Sequence, residues 1–203
     1  MSPSLQRYYH FQSVIYDLTR WSFLFGRRRL VQQLITSPPP QRILEIGCGT
    51  GTNLRWLAQS LPETAITGLD LSPHMLGKAR RKTMAFGSRV ELRQMEYSQP
   101  LDPQGFDVVV FSYCLSMINP GWEQAVIAAD QDVAPGGKVA VVDFHNSAFS
   151  AFRAWMGVNH VRMDGHLLPF LKEMFPRNHT LIRTGYGGLW SYVMFTGHQM
   201  RKG

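Results

Sequence analysis

Long apolar runs are missing from this chain of 203 residues. None approaches the roughly 20 residues that cross a bilayer as a helix, and the first residues lack the continuous apolar core of a signal peptide. Cysteine is nearly missing as well: Cys48 and Cys114 give neither a disulfide framework nor a metal spacing. The seven histidines are scattered without an HExxH-like pair, so no metal site is expected. A reducing cytoplasm is the expected setting. Acids are the scarcer charge, 14 Asp and Glu against 21 Lys and Arg, which leaves a net charge of +7. That balance suits an anionic partner, whether nucleic acid, a lipid surface or an acidic small molecule, and does not choose among them. Repeats, low-complexity tracts and a second domain are likewise absent. One α/β domain over residues 1–203 is expected, with a sizeable core.

What the chain does contain is organised around Ile43-Leu44-Glu45-Ile46-Gly47-Cys48-Gly49-Thr50-Gly51. Ile43, Leu44 and Ile46 read as a strand covered on both faces. Gly47, Gly49 and Gly51 form a turn of almost no side-chain bulk, against which a ligand can press. Leu54, Leu57, Ala58 and Leu61 then mark a helical stripe. Strand, glycine turn and helix open a nucleotide-binding βαβ unit. A second strand, Ala65 to Leu69, ends in Asp70 about 20 residues on, where an acid can take ribose hydroxyls.

Residues 1–40 read as two helices meeting near Gly26 and stopped by Pro38-Pro39-Pro40. Tyr8, Tyr9, Phe11, Tyr16, Trp21, Phe23 and Phe25 crowd this cap beside Arg20 and Arg27-Arg28-Arg29. It could meet a membrane interface or close the site as a core-facing helix. Ser72 and Pro73 start a helix with Leu76, Ala79, Thr83 and Phe86 on one face; its Lys78, Arg80, Arg81 and Lys82 read as solvated surface. Val90–Gln94 is a third strand, followed by Met95-Glu96-Tyr97, and Phe106–Phe111 a fourth, leading into Ser112 and Tyr113. Trp122 to Val133 reads as a helix, Pro135-Gly136-Gly137 as a turn, and Lys138–Phe144 as a fifth strand. Tyr113, Asp143 and His145 then stand at the carboxyl ends of strands, where doubly wound sheets bind ligands. Residues 146–177, rich in large apolar groups, read as a helical insertion able to roof a groove. Thr180–Tyr186 and Leu189–His198 form a terminal hairpin around Gly187-Gly188.

The glycines are spaced GxGxG with Glu45 ahead of them, and this resembles the first motif of the class I methyltransferases that use S-adenosylmethionine. Asp70, Glu96 and Pro135-Gly136-Gly137 extend the resemblance over residues 42–144. It implies a doubly wound, Rossmann-like sheet of seven strands with an antiparallel C-terminal hairpin and an N-terminal helical cap. S-adenosylmethionine would be the cofactor and S-adenosylhomocysteine its product. Glu45, Gly47, Cys48, Gly49, Gly51, Asp70, Leu71, Met75, Met95, Glu96, Tyr97 and Ser112 fall at the positions that would hold it. Glu96 would face the adenine amino group; as a loop glutamate in solvent it would have no such role.

A narrower resemblance covers nearly the whole chain. Ile15 to Trp21, Leu24 to Arg27, Ser112 to Ile118, Val142-Asp143-Phe144 and Asn159-His160-Val161 look like motifs of the bacterial betaine-lipid N-methyltransferases. That resemblance implies methylation of a lipid head-group amine, with Tyr16 and Arg20 beside the cofactor or head group and Tyr113 beside the moving methyl. The enzyme would then be cytoplasmic, peripheral on the inner membrane face. A soluble amine or thiol methyltransferase and a phosphatidylethanolamine N-methyltransferase stay open. Nucleic acid is disfavoured as substrate, because the Asn/Asp-Pro-Pro-aromatic signature is missing after the fourth strand. Transfer to a neutral amine asks mainly for alignment and exclusion of water. Candidate proton acceptors are Asp143, His145 and His160, and each also has a purely structural reading.

Overall fold

In a computed structural model, residues 23–199 are described. Tyr16 and Arg20, with the rest of residues 1–22, lie outside them. The second helix of the cap, α1 (Arg27–Leu34), buries Leu30, Val31 and Leu34, the stripe its periodicity marks. The remaining elements are β1 (Arg42–Ile46), α2 (Thr52–Ser60), β2 (Ala65–Asp70), α3 (Pro73–Thr83), β3 (Val90–Gln94), β4 (Phe106–Ser112), α4 (Trp122–Asp132), β5 (Val133–Asn146), α5 (Ser150–Val158), α6 (Leu167–Met174), β6 (Asn178–Gly185) and β7 (Trp190–His198).

Seven strands form one sheet in the order β3-β2-β1-β4-β5-β7-β6. The first five run parallel, and β7 is antiparallel to both its neighbours. Alternation along the central strands builds two cores. Ile43, Val108, Val110 and Val142 face α1, α2, α3 and α5. Leu44, Ile46, Val109, Phe111 and Val141 face α4 and α6. Both faces of β1 and β4 are therefore buried, which is why these strands read as largely apolar runs, interrupted by Glu45 in β1 and Asp107 in β4.

Local chemistry sets several boundaries. The Ser72 side chain accepts a hydrogen bond from the Met75 amide at 3.3 Å, and Pro73 follows as the first helical residue. The helix ends at Thr83, before the Phe86 of the sequence reading, in a 3₁₀ segment over Met84–Arg89 with a non-helical Gly87. The fifth strand begins earlier than expected. Phe106 pairs with Val133 and Val108 with Lys138, so the Pro135-Gly136-Gly137 stretch is a bulge inside β5 and not a turn before it.

Residues 146–177 divide in two. On α5, Met156 is buried while Trp155, Val158 and the preceding Phe149 stay exposed. Leu167 and Leu171 of α6 are almost wholly buried with Phe175 against Phe195, so this helix is part of the layer covering the sheet. None of the described helices is long and apolar enough to cross a membrane.

Candidate active site

The carboxyl ends of β1, β2 and β4 open onto a cleft of about 1080 Å³, at the large end of the roughly 300–1,000 Å³ of ligand pockets. The glycine turn forms its floor. Cys48 donates its amide to the Leu69 carbonyl at 2.8 Å, keeping the turn tied to β2. Gly47 has φ 65°, and a Cβ there would lie 2.6 Å from Cys114 Cβ. Gly49 has φ 55°, and a Cβ on it would meet nothing within 4 Å. Its backbone thus presents an open cradle. Asp70 clamps the turn from the other strand: Oδ2 accepts from the Gly49 amide at 2.8 Å and Oδ1 from the Ser72 amide at 2.9 Å.

Beneath the turn lies Glu45. Its Oε1 accepts from Asn53 Nδ2 at 2.7 Å, and Asn53 Oδ1 accepts from Arg27 Nε at 3.1 Å. Oε2 is buried without a hydrogen-bond partner among the described residues. Burial pushes the carboxyl from its ordinary 4.5 up to about 7; Arg27 and then Asn53 pull it back only in part, and Asp70 pushes it further up. An acid so raised makes stability fall with pH. Below about 4.5 it is protonated folded or unfolded. Between about 4.5 and 7 only the folded chain keeps the proton, at about 1.4 kcal/mol per unit, and above 7 the penalty is constant. Asp143, raised by burial to about 6, adds its own decline below that pH. Glu45→Gln is therefore expected to flatten the stability profile between pH 6 and 8. Urea unfolding at the two pH values should give a gain of about 1–2 kcal/mol at pH 8.

The cleft is lined by charges of both signs. Asp70 and Glu96 border it, with Leu71, Met75, Met95 and Tyr97. The Tyr97 hydroxyl donates to buried Asp132 at 2.7 Å, which fixes its ring. Arg27, Lys78 and Lys82 border it too, with Thr50 and Thr52. Leu24, Ser112, Cys114, Met117, Ile118 and Asn119 make up an uncharged part of the lining.

Ten of the residues expected to hold the cofactor border this cleft: Gly47, Cys48, Gly49, Asp70, Leu71, Met75, Met95, Glu96, Tyr97 and Ser112. Gly51 instead caps α2 against Ala79, and Glu45 sits under the turn. A sulfonium nucleoside fits this set, which joins an open glycine cradle to an acid for ribose hydroxyls, with Arg27 in the same cleft for the carboxylate.

The candidate catalytic side chains are placed elsewhere. Tyr113, at φ 56°, is buried with its ring against Phe144 and its hydroxyl donating to the Phe25 carbonyl at 2.7 Å. It ties the cap to the sheet, and burial raises its pKa, so it stays protonated. Asp143 is fully buried and accepts from the Ser116 and Phe144 amides, holding the loop after β4. His145 is half-buried, its pKa lowered by that burial, and its carbonyl accepts from the Gly165 amide. His160 is exposed beyond the end of α5. None of the four borders the cleft. Tyr113→Phe is expected to cost about 1 kcal/mol in urea unfolding and to leave turnover within about threefold; a fall of about 100-fold or more would instead make the hydroxyl a reacting group. The sequence reading missed Arg27, Thr50, Thr52, Lys78 and Lys82 as cleft residues. The one signal for the lysines is their i, i+4 spacing, which places both on one face of α3.

A protein-family profile described as a methyltransferase domain matches residues 44–139. The demethylmenaquinone methyltransferase of Thermus thermophilus is 31% identical over 169 residues, covering 80% of this chain and 74% of that protein. The trans-aconitate 2-methyltransferase of Streptomyces avermitilis is 35% identical over 103 residues, 50% of this chain and 38% of its own. Among solved structures, the N-methyltransferase NodS from Bradyrhizobium japonicum, bound to S-adenosylhomocysteine, superposes with a TM-score of 0.67 at 22% identity, covering 86% of this chain and 87% of that one. Phosphoethanolamine N-methyltransferase 2 of Haemonchus contortus gives 0.75 at 15% identity, covering 87% and 52%. At these identities the two structures share the fold with this chain.

Proposed function

This chain belongs to the S-adenosylmethionine-dependent methyltransferases, and we propose that its acceptor is the amine of a lipid head group met at a membrane surface. The observation that carries the reading is the uncharged part of the cleft wall, to which Leu24, Ser112, Cys114, Met117 and Ile118 belong. Such a wall favours the uncharged form of an amine by withholding water from the ammonium. That form carries the lone pair that attacks.

The cofactor supplies an electrophilic methyl on its sulfonium. The chain's part is to bind, orient and keep water out. Asp70 is assigned to the ribose hydroxyls, Glu96 to the adenine amino group, the Gly47–Gly49 backbone to the amino-acid portion, and Arg27 to the carboxylate. Tyr113 and Asp143 act at one remove, by holding the cap and the loop after β4 that border the acceptor space.

An exposed aromatic surface supports the membrane side of the reading. Leu24 borders the cleft, while its neighbours Phe23 and Phe25 pack on Trp155 and Tyr186. Phe149, Trp155, Val158 and Tyr186 are about half exposed or more. Arg28 and Arg29 are exposed just past Phe25. Aromatic groups beside basic ones suit an anionic lipid interface. A second reading, methylation of a quinone ring, is favoured by the relative from Thermus thermophilus.

The test is incubation with labelled S-adenosylmethionine and, separately, total bacterial lipid, water-soluble amines and a demethylated quinone. Label in an amine-bearing lipid is expected. Label confined to water-soluble amines contradicts the proposal, and label in the quinone supports the second reading.

A further inference from the structure

Four cations gather where α2 begins. Arg27 lies on the cleft rim, Arg55 in the first turns of α2, and Lys78 and Lys82 one turn apart on α3. Lys82 Nζ donates to Thr50 Oγ1 at 2.9 Å and to Thr52 Oγ1 at 3.0 Å, both neutral groups. Burial lowers its pKa, and among the described residues the charges acting on it, Arg27, Arg55 and Lys78, are all of its own sign and lower it further. The N-terminus of α2 adds partial positive charge. Gly51 gives it no side-chain cap, and its first turn holds no acid. Like charges held this close repel, and a bound anion offsets that repulsion. Hydroxyls flanking an ammonium supply the further donors an oxyanion uses.

We propose that Lys82, with the hydroxyls of Thr50 and Thr52, forms a site for an anionic group, carboxylate or phosphate, carried by the acceptor. The proposal rests on the cofactor reading above, which assigns the cofactor's own carboxylate to Arg27. It makes the acceptor an amine with an acidic group attached, the acidic group held by Lys82 while the amine lies against the uncharged residues of the cleft.

The same chemistry could serve the cofactor's carboxylate, and calorimetry separates the two. Inorganic phosphate is titrated into protein saturated with S-adenosylhomocysteine, using wild type, Lys82→Gln and Lys82→Arg. S-adenosylhomocysteine is titrated into the same three. Phosphate is expected to bind the saturated wild type, more weakly as salt rises. Lys82→Gln should weaken it about tenfold and Lys82→Arg restore it, with S-adenosylhomocysteine affinity unchanged within about twofold. Absence of phosphate binding in wild type overturns the proposal. So does competition between phosphate and S-adenosylhomocysteine together with a tenfold loss of the latter's affinity in Lys82→Gln. No heat from S-adenosylhomocysteine in wild type is a separate result: it brings down the cofactor reading, and this proposal with it.

Discussion

Gly47→Val is expected to abolish S-adenosylhomocysteine binding and to destabilise the fold. Two independent costs meet at this residue. Its φ of 65° lies in the left-handed region, which a residue with a Cβ enters at about 1–2 kcal/mol, more when branched. The added Cβ would also stand 2.6 Å from Cys114 Cβ, and relieving such an overlap costs about 1–3 kcal/mol. Cys114 is itself fixed, with its thiol donating to the Ile46 carbonyl at 3.2 Å, so the turn and not the loop gives way. Calorimetry should register an affinity loss of more than about 100-fold, and urea unfolding a loss of about 2–4 kcal/mol. Gly49→Ala separates the two effects. Its Cβ enters open space, so binding should suffer with only the conformational cost to stability. Binding by Gly47→Val within a few-fold of wild type would mean that the turn is not the floor of the cofactor site.

Asp70→Ala carries the second large effect. The carboxylate accepts from the Gly49 and Ser72 amides at once, so it joins the glycine turn to the start of α3. Hydrogen bonds to a charged group contribute about 1.5–3 kcal/mol each. Their loss releases the turn and removes the group assigned to the ribose. Because the site is partly open, water replaces some of what is lost. The expected result is about 2–3 kcal/mol of stability in urea and about 100-fold in affinity for S-adenosylhomocysteine. Asp70→Asn keeps one acceptor and should fall between. An unchanged affinity in Asp70→Ala would remove this residue from the cofactor site.

What the sequence discloses here is local chemistry. Ile43 to Gly51 and Ser72-Pro73 can be read directly, because sterics and capping act over a few residues. Asp70 follows from its position at the end of a recognisable strand. The hairpin that supplies β6 and β7 is legible from alternation around Gly187-Gly188. The start of β5 is not, since its bulge is set by pairing with Phe106 and Val108 on another strand. Neither is the role of α6, whose apolar face finds Trp122 and Phe195 only once the sheet is assembled. The side chains at the carboxyl ends of strands divide the same way. Position brings Ser112 to the cleft, yet turns the next residue, Tyr113, into the core to meet the Phe25 carbonyl. Lys82 looks like solvated helix surface until Thr50 and Thr52 are folded against it.

A structure with S-adenosylhomocysteine bound is the most direct measurement. The ribose hydroxyls should lie within hydrogen-bond distance of Asp70, the adenine beside Met95 and Glu96, and the homocysteine carboxylate toward Arg27. A nucleoside bound away from the glycine turn, or a cleft that rejects S-adenosylhomocysteine but fills with a phosphorylated nucleotide, would contradict the account.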